Sequence, residues 1–160
     1  MKAFKILLIA VVVVSLGLNS CKSAPKFSNV TGIEWLLVEV QTKPNNIKFS
    51  RETLQSEGFN NIFTLNFDAE RLNGVGAPNR YAAPYKVDKD QVISVSLIAG
   101  TLMTPIYEPE KLKEQEYFAY LQNAYKWNLF KKDRFELYSK NADGDEVVLI
   151  YKLGTVYKGK

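Results

Sequence analysis

Few side chains in this chain are equipped for chemistry. Its 160 residues include one cysteine, Cys21, and no histidine. A serine–histidine–acid triad, a thiol–histidine pair and histidine-based metal sites are therefore excluded. With one thiol, a disulfide within the chain and a cysteine-built metal site are excluded too. Carboxylates remain. Glu108 and Glu110 stand two apart, a pairing that in a glycosidase would supply an acid and a base. Their place at the start of an amphipathic stretch, against the positive end of a helix dipole, accounts for them without catalysis. Gly74-Val75-Gly76 resembles part of a phosphate cradle, but no Lys-Ser/Thr pair and no helix follow it. The glycines are read instead as permitting a tight turn or bulge before Pro78. Asn79 and Arg80 have two readings. The guanidinium beside an amide suits an anionic ligand held by paired hydrogen bonds. Alternatively, Asn79 bonds local backbone and Arg80 pairs with a strand carboxylate, the reading we favour. No enzyme activity, metal or cofactor is expected.

Cys21 is explained by what precedes it. Lys2 and Lys5 give a basic start, residues 6–18 (ILLIAVVVVSLGL) form an apolar run, and Asn19-Ser20-Cys21 follow. That order belongs to a secretory signal, and the run is short for a bilayer span. Leu18-Asn19-Ser20-Cys21 is similar to the bacterial lipobox, with an aliphatic residue three before the cysteine and a small one directly before it. Asn19 departs from the usual small residue. The resemblance implies lipid on the Cys21 sulfur and cleavage that frees its amine, which can then be acylated. The alternative is an ordinary signal that leaves a free thiol. At about 0.8 kcal/mol per buried methylene, one acyl chain binds marginally, whereas two or three anchor stably. Lys22 is not the acidic residue associated with inner-membrane retention. The expected address is therefore the outer membrane, facing the periplasm.

Residues 1–20 are thus read as a lipoprotein signal peptide, 21–31 as a polar tether and 32–160 as one folded domain. Removing the first 20 residues from 160 leaves 140, enough for a core. The whole chain has 21 basic and 17 acidic side chains. Without Lys2 and Lys5 the balance is 19 against 17, interspersed, which gives no reason to propose nucleic acid. The expected partners are the membrane, through Cys21, and an envelope protein or lipid.

The elements that would position these residues are mostly strands. Expected strands are EWLLVEV (34–40), a short piece near Ile47 to Phe49, IFTLNFD (62–68) and VISVSLIAG (92–100). RLNGVGAPNRYAAPY reads as a glycine-rich passage and KVDKDQ as a turn. One helix is expected over 109–126, with Pro109 in its first turn and Phe118, Leu121, Ala124 and Tyr125 forming the buried stripe. RFELYSK and EVVLIYKL then flank NADGD, a hairpin with Gly144 in the left-handed region. Such an order makes an α+β chain rich in antiparallel sheet. The dense aromatic set, Tyr117, Phe118, Tyr120, Tyr125, Trp127 and Phe130, either lines an apolar cavity or fills a core, and we favour the core.

Several pieces in sequence then resemble a known family. Trp35-Leu36, Leu65-Asn66-Phe67, Gly74 leading into Pro78-Asn79-Arg80-Tyr81, AGTLMTP (99–105), YFAYL (117–121) and a closing hairpin are similar to the META domain of heat-shock-inducible, HslJ-like lipoproteins. The resemblance covers roughly 31–153. It implies a small conical, partly open antiparallel β-barrel with one packed α-helix. It also implies a non-catalytic envelope protein that binds a partner or supports the outer membrane under stress. The alternative is a lipid- or amphiphilic-peptide-binding module. Asn79, Arg80, Tyr81, Phe118 and Tyr125 are the candidate ligand- or partner-binding residues. Where the family usually carries two cysteines, this chain has Pro78 and Pro105, so a disulfide or redox role does not carry over. Fixed φ at both prolines is a partial substitute for the cross-link.

Overall fold

Strand β1 (Ile33–Gln41) carries Trp35 and Leu37 inward, and a register shift between Leu37 and Glu39 then turns Val40 inward in their place. In the computed structural model, which describes residues 24–104 and 107–156, this strand is the hub of the sheet. The expected leader, Cys21 and Pro105 lie outside the described residues.

After β1 come β2 (Ile47–Lys48), helix α1 (Arg51–Ser56), β3 (Thr64–Phe67), β4 (Arg71–Val75) and β5 (Arg80–Val87). Then follow β6 (Ile93–Val95), β7 (Ala99–Gly100), α2 (Glu114–Gln122), β8 (Lys126–Phe130), β9 (Arg134–Lys140) and β10 (Glu146–Val156). The sheet order is β6-β5-β4-β3-β1-β10-β9-β8, with β2 on β1 and β7 on β5, and its strand pairs are antiparallel. Its two ends meet. Val92 bridges Lys126, and the Ile93 N–H donates to the Tyr125 carbonyl at 3.1 Å. The result is a nearly closed barrel, which leaves little free edge.

Bulky rings fill the interior. Trp35, Phe63, Phe67, Tyr117, Phe135 and Tyr151 are fully buried. Trp35 lies 5.4 Å from Phe135 and Phe67 lies 5.6 Å from Phe135, centroid to centroid. The segment read as tether contributes as well. Residues 27–29 form a 3₁₀ turn that sets Phe27 against Trp127 (4.9 Å), Phe67 (5.1 Å) and Tyr85 (5.6 Å). Val30 is buried beneath, and its carbonyl accepts the Trp35 indole N–H at 3.0 Å. The folded body thus begins at Phe27, inside the expected tether.

Other expectations need correction in detail. The helix expected over 109–126 is a 3₁₀ turn (Pro109–Lys111) followed by the shorter α2. Positive φ at Glu110 (52°) and Lys111 (64°) separates the two pieces. Tyr125 and Lys126 leave the helix because the barrel needs them extended, to pair with Tyr138 and to meet Val92. The buried side of α2 is Glu114, Tyr117, Tyr120 and Leu121, while Phe118 is half-buried and Tyr125 is exposed. VISVSLIAG splits into β6 and β7, and the glycine-rich passage is β4 and most of β5. Helix α1 was not expected. Its cap is Ser50, whose hydroxyl accepts the Thr53 N–H at 3.1 Å.

Gly74 permits the close passage of β3 and β4. A methyl group there would lie 2.1 Å from the Thr64 carbonyl oxygen, which is backbone and cannot swing away. Gly74→Ala is expected to cost about 1–3 kcal/mol. A lowered denaturation midpoint at unchanged slope is the readout, and unchanged stability would contradict the close approach.

Candidate functional site

Helix α2 opens with a carboxylate that faces protein, not water: Glu114 is 3% exposed. No cation pairs with it among the described residues. Its Oε1 accepts the backbone N–H groups of Ala77 (2.6 Å) and Asn79 (2.7 Å), and its Oε2 accepts Asn79 Nδ2 (2.6 Å). Gly76 allows the approach, since a methyl there would sit 2.5 Å from Oε1. Charge-assisted bonds of this kind are among the stronger ones available to a folded chain.

Asn79 passes the connection onward. Its Oδ1 accepts the Met103 N–H (2.7 Å) and the Thr101 hydroxyl (2.8 Å), and its Nδ2 also donates to the Met103 carbonyl (2.9 Å). One buried amide thus joins the 76–80 turn, the 99–103 segment and the start of α2. The side chain of Asn79 is thus tied into the structure, but through partners 22 to 35 residues away, not through the local backbone bonds expected.

Tyr81 points inward to a group of buried hydroxyls. It donates to the Thr64 carbonyl at 2.7 Å and lies 3.3 Å from the Tyr117 hydroxyl, which in turn receives Tyr151 at 3.2 Å. Burial pushes the Tyr117 phenol up to about 12, and Tyr81 and Tyr151 well above their ordinary value. Arg51, also buried, donates to the carbonyls of Leu37 (2.8 Å), Ile62 (2.8 Å) and Phe63 (3.1 Å). Desolvation lowers its guanidinium to about 10, so it stays charged at neutral pH. Phe63 has φ of 48°, in the left-handed region, beside these turned carbonyls.

The candidate residues are therefore divided. Asn79 bonds Glu114 and Phe118 lies with it over Gly76, while Tyr81 reaches this group only through its ring, 5.1 Å from that of Phe118. Arg80 faces outward into a groove of about 350 Å³ that also holds Glu34, Asn66, Asn73 and Gly74. No ion pair of Arg80 exists among the described residues. Tyr125 stands apart, bonded through its hydroxyl to Glu146 at 2.7 Å. Glu108 and Glu110 are exposed on the 3₁₀ turn. Among the described residues, no group of three or more Asp, Glu, His or Cys is placed to hold a metal ion.

The Asn79 connection spans the same positions that carried the sequence resemblance, and a family model described as META domain matches residues 28–152. The chain belongs to the META domain family. Among solved structures, an NMR structure of a protein from Burkholderia xenovorans is similar in fold, with TM-score 0.56 and 18% identity over 86% of this chain and 97% of that one. No curated protein matches. In this META domain, Asn79 bonds both Thr101 and Met103, which ties the Asn79-Arg80-Tyr81 stretch to the 99–103 segment. The Ala77–Pro78 bond preceding them is cis. Glu114 was missed as a site residue, as were Glu34, Asn66 and Asn73 around the expected Arg80. The bonds of Glu114 cross 35 to 37 residues of sequence, which no local pattern shows.

Two outcomes follow from these bonds. Glu114→Gln sets an amide donor against Asn79 Nδ2, so a loss of about 1–3 kcal/mol is expected, with faster exchange of the Met103 amide. Unaltered exchange at Met103 would contradict the coupling. Tyr117, neutral when folded up to about pH 12, keeps a proton that the unfolded chain releases near pH 10. Stability is then full below pH 10 and falls as pH rises toward 12, by roughly 3 kcal/mol from this group alone. Alkaline unfolding followed by tyrosinate absorbance checks it, with Tyr117→Phe expected to flatten the fall.

Proposed function

We propose that this protein is a non-catalytic lipoprotein of the outer membrane, facing the periplasm, whose META domain binds an envelope protein. The observation that carries this reading is Cys21 within Leu18-Asn19-Ser20-Cys21, six residues before the barrel begins at Phe27. Six extended residues reach about 20 Å, so a lipid on Cys21 would hold the body close to the leaflet.

Binding is favoured over catalysis because the conspicuous polar groups are already occupied. Glu114 and Asn79 bond to backbone and to each other, and the three tyrosines keep their protons. A protein partner is favoured over an acyl chain because Trp35, Phe63, Phe67, Tyr117, Phe135 and Tyr151 occupy the barrel interior. The amphiphile-binding reading would need those rings displaced. The end of β5 near Tyr85 packs on Phe27, while its beginning, Arg80, bonds Thr101 beside the exposed Leu102 and Met103. Those apolar side chains lie at the opposite end of β5 from Phe27, and their exposure supports a protein partner there.

Cys21→Ala is expected to move the protein from the membrane pellet to the soluble fraction and to abolish labelling by radioactive palmitate. The barrel should stay folded, since Cys21 precedes Phe27. A variant retained in the pellet would overturn the anchor. Lipid co-purifying stoichiometrically with the domain, seen by mass spectrometry, would favour the amphiphile reading instead.

A further inference from the structure

Strand alternation places one row of polar side chains on the outer wall of the barrel. Trp35, Leu65, Leu72 and Tyr81 face inward and are buried, so their neighbours Glu34, Asn66, Asn73 and Arg80 face outward. Register aligns them. One step beyond the Trp35–Leu65 pair, Glu34 comes level with Asn66, which pairs with Asn73, and Arg80 pairs with Val75 two residues further along the same strand. All four side chains line the single groove of about 350 Å³.

These groups have few direct partners, although the Glu34 carboxylate lies near the buried Arg51 guanidinium and helps to keep it charged. Among the described residues, neither Glu34 nor Arg80 is in an ion pair and Asn66 makes no side-chain hydrogen bond. Asn73 has only a 3.5 Å approach to Asp68. Arg51, Asn79 and Glu114, by contrast, have their polar atoms bonded within the protein. A carboxylate at one end, a guanidinium at the other and two carboxamides between them form an ordered chemical series.

We infer that this groove binds a short extended peptide with free ends, its carboxylate on Arg80 and its ammonium near Glu34. A guanidinium grips a carboxylate with two parallel bonds, and a carboxamide offers a donor and an acceptor that match a peptide group. Neighbouring strands lie about 4.8 Å apart, so three steps from β1 to β5 with a two-residue offset along the strand span about 16 Å. An extended chain covers about 3.3–3.6 Å per residue, so the length that fits is about four to five residues. The lining offers no exposed aromatic face on which a sugar ring would stack. The peptide is read through its ends and backbone, so tolerance of its side chains is expected. This site rests on the reading of the chain as a binding domain, not on the lipid anchor.

Isothermal titration of the full chain in detergent with tetra-alanine tests the site. Saturable binding is expected, weakened about tenfold by N-acetylation and about tenfold by C-amidation. Arg80→Ala should no longer distinguish acid from amide, and Glu34→Gln should no longer distinguish amine from acetyl. Arg80 is exposed and Glu34→Gln is isosteric, so both variants should fold, which circular dichroism verifies. No saturable heat, equal binding of capped and free peptide, or full discrimination by Arg80→Ala would overturn the inference. Shortened peptide recovered after saturable binding would support the site while refuting the non-catalytic reading. Absence of binding would leave the anchor and its fractionation test untouched.

Discussion

A buried carboxylate with no cation beside it among the described residues organises one end of this molecule. Glu114 is stabilised by N–H groups from a turn more than thirty residues earlier in the chain, and those donors would otherwise be buried without partners. The exchange is mutual, since the turn needs an acceptor and the carboxylate needs donors. Once the turn is fixed, Asn79 is fixed, and through it Thr101 and Met103. The start of β5 and the start of α2 therefore hold their relation through polar bonds, while the rings beneath supply the non-directional attraction. Packing alone would tolerate a rotation of the helix that these bonds do not.

Polar groups elsewhere in the interior obey the same discipline. Arg51 enters the core from α1 and spends its donors on three carbonyls. Two tyrosine hydroxyls converge on the single carbonyl of Thr64. Arg51, Tyr81 and Tyr117 are thus matched largely by backbone carbonyls, and Tyr151 by the Tyr117 hydroxyl. The fold thus uses side chains to complete hydrogen bonding where strands diverge.

How much of this was legible in the sequence depended on range. β1, β3 and the closing hairpin show in their own alternation and in Gly144, whose φ is 85°. β4 and β5 were hidden because Gly74, Gly76, Pro78 and Pro84 look like loop, and only neighbouring strands make that stretch extended. The helix read too long because Ala124 and Tyr125 continue its spacing, while the closure of the barrel demands the opposite conformation. Asn79, Thr101 and Met103 were visible as a pattern without a reason. The reason needed Glu114, whose sequence neighbours give no sign of burial. Arg51 gave none either, since an arginine near a surface-like turn normally faces solvent.

The wall of the barrel does not have uniform strength. Between β6 and β8 it is stitched by the Val92–Lys126 bridge and the Ile93–Tyr125 bond, whereas β1 and β10 run together from Ile33 to Gln41. Next to that thin line sits Trp127, whose buried indole N–H has no protein partner among the described residues. Parting the line admits solvent to a donor that the shut wall leaves unserved, so part of the cost of parting is returned there. The seam between β6 and β8 is therefore where the wall is expected to part at least cost.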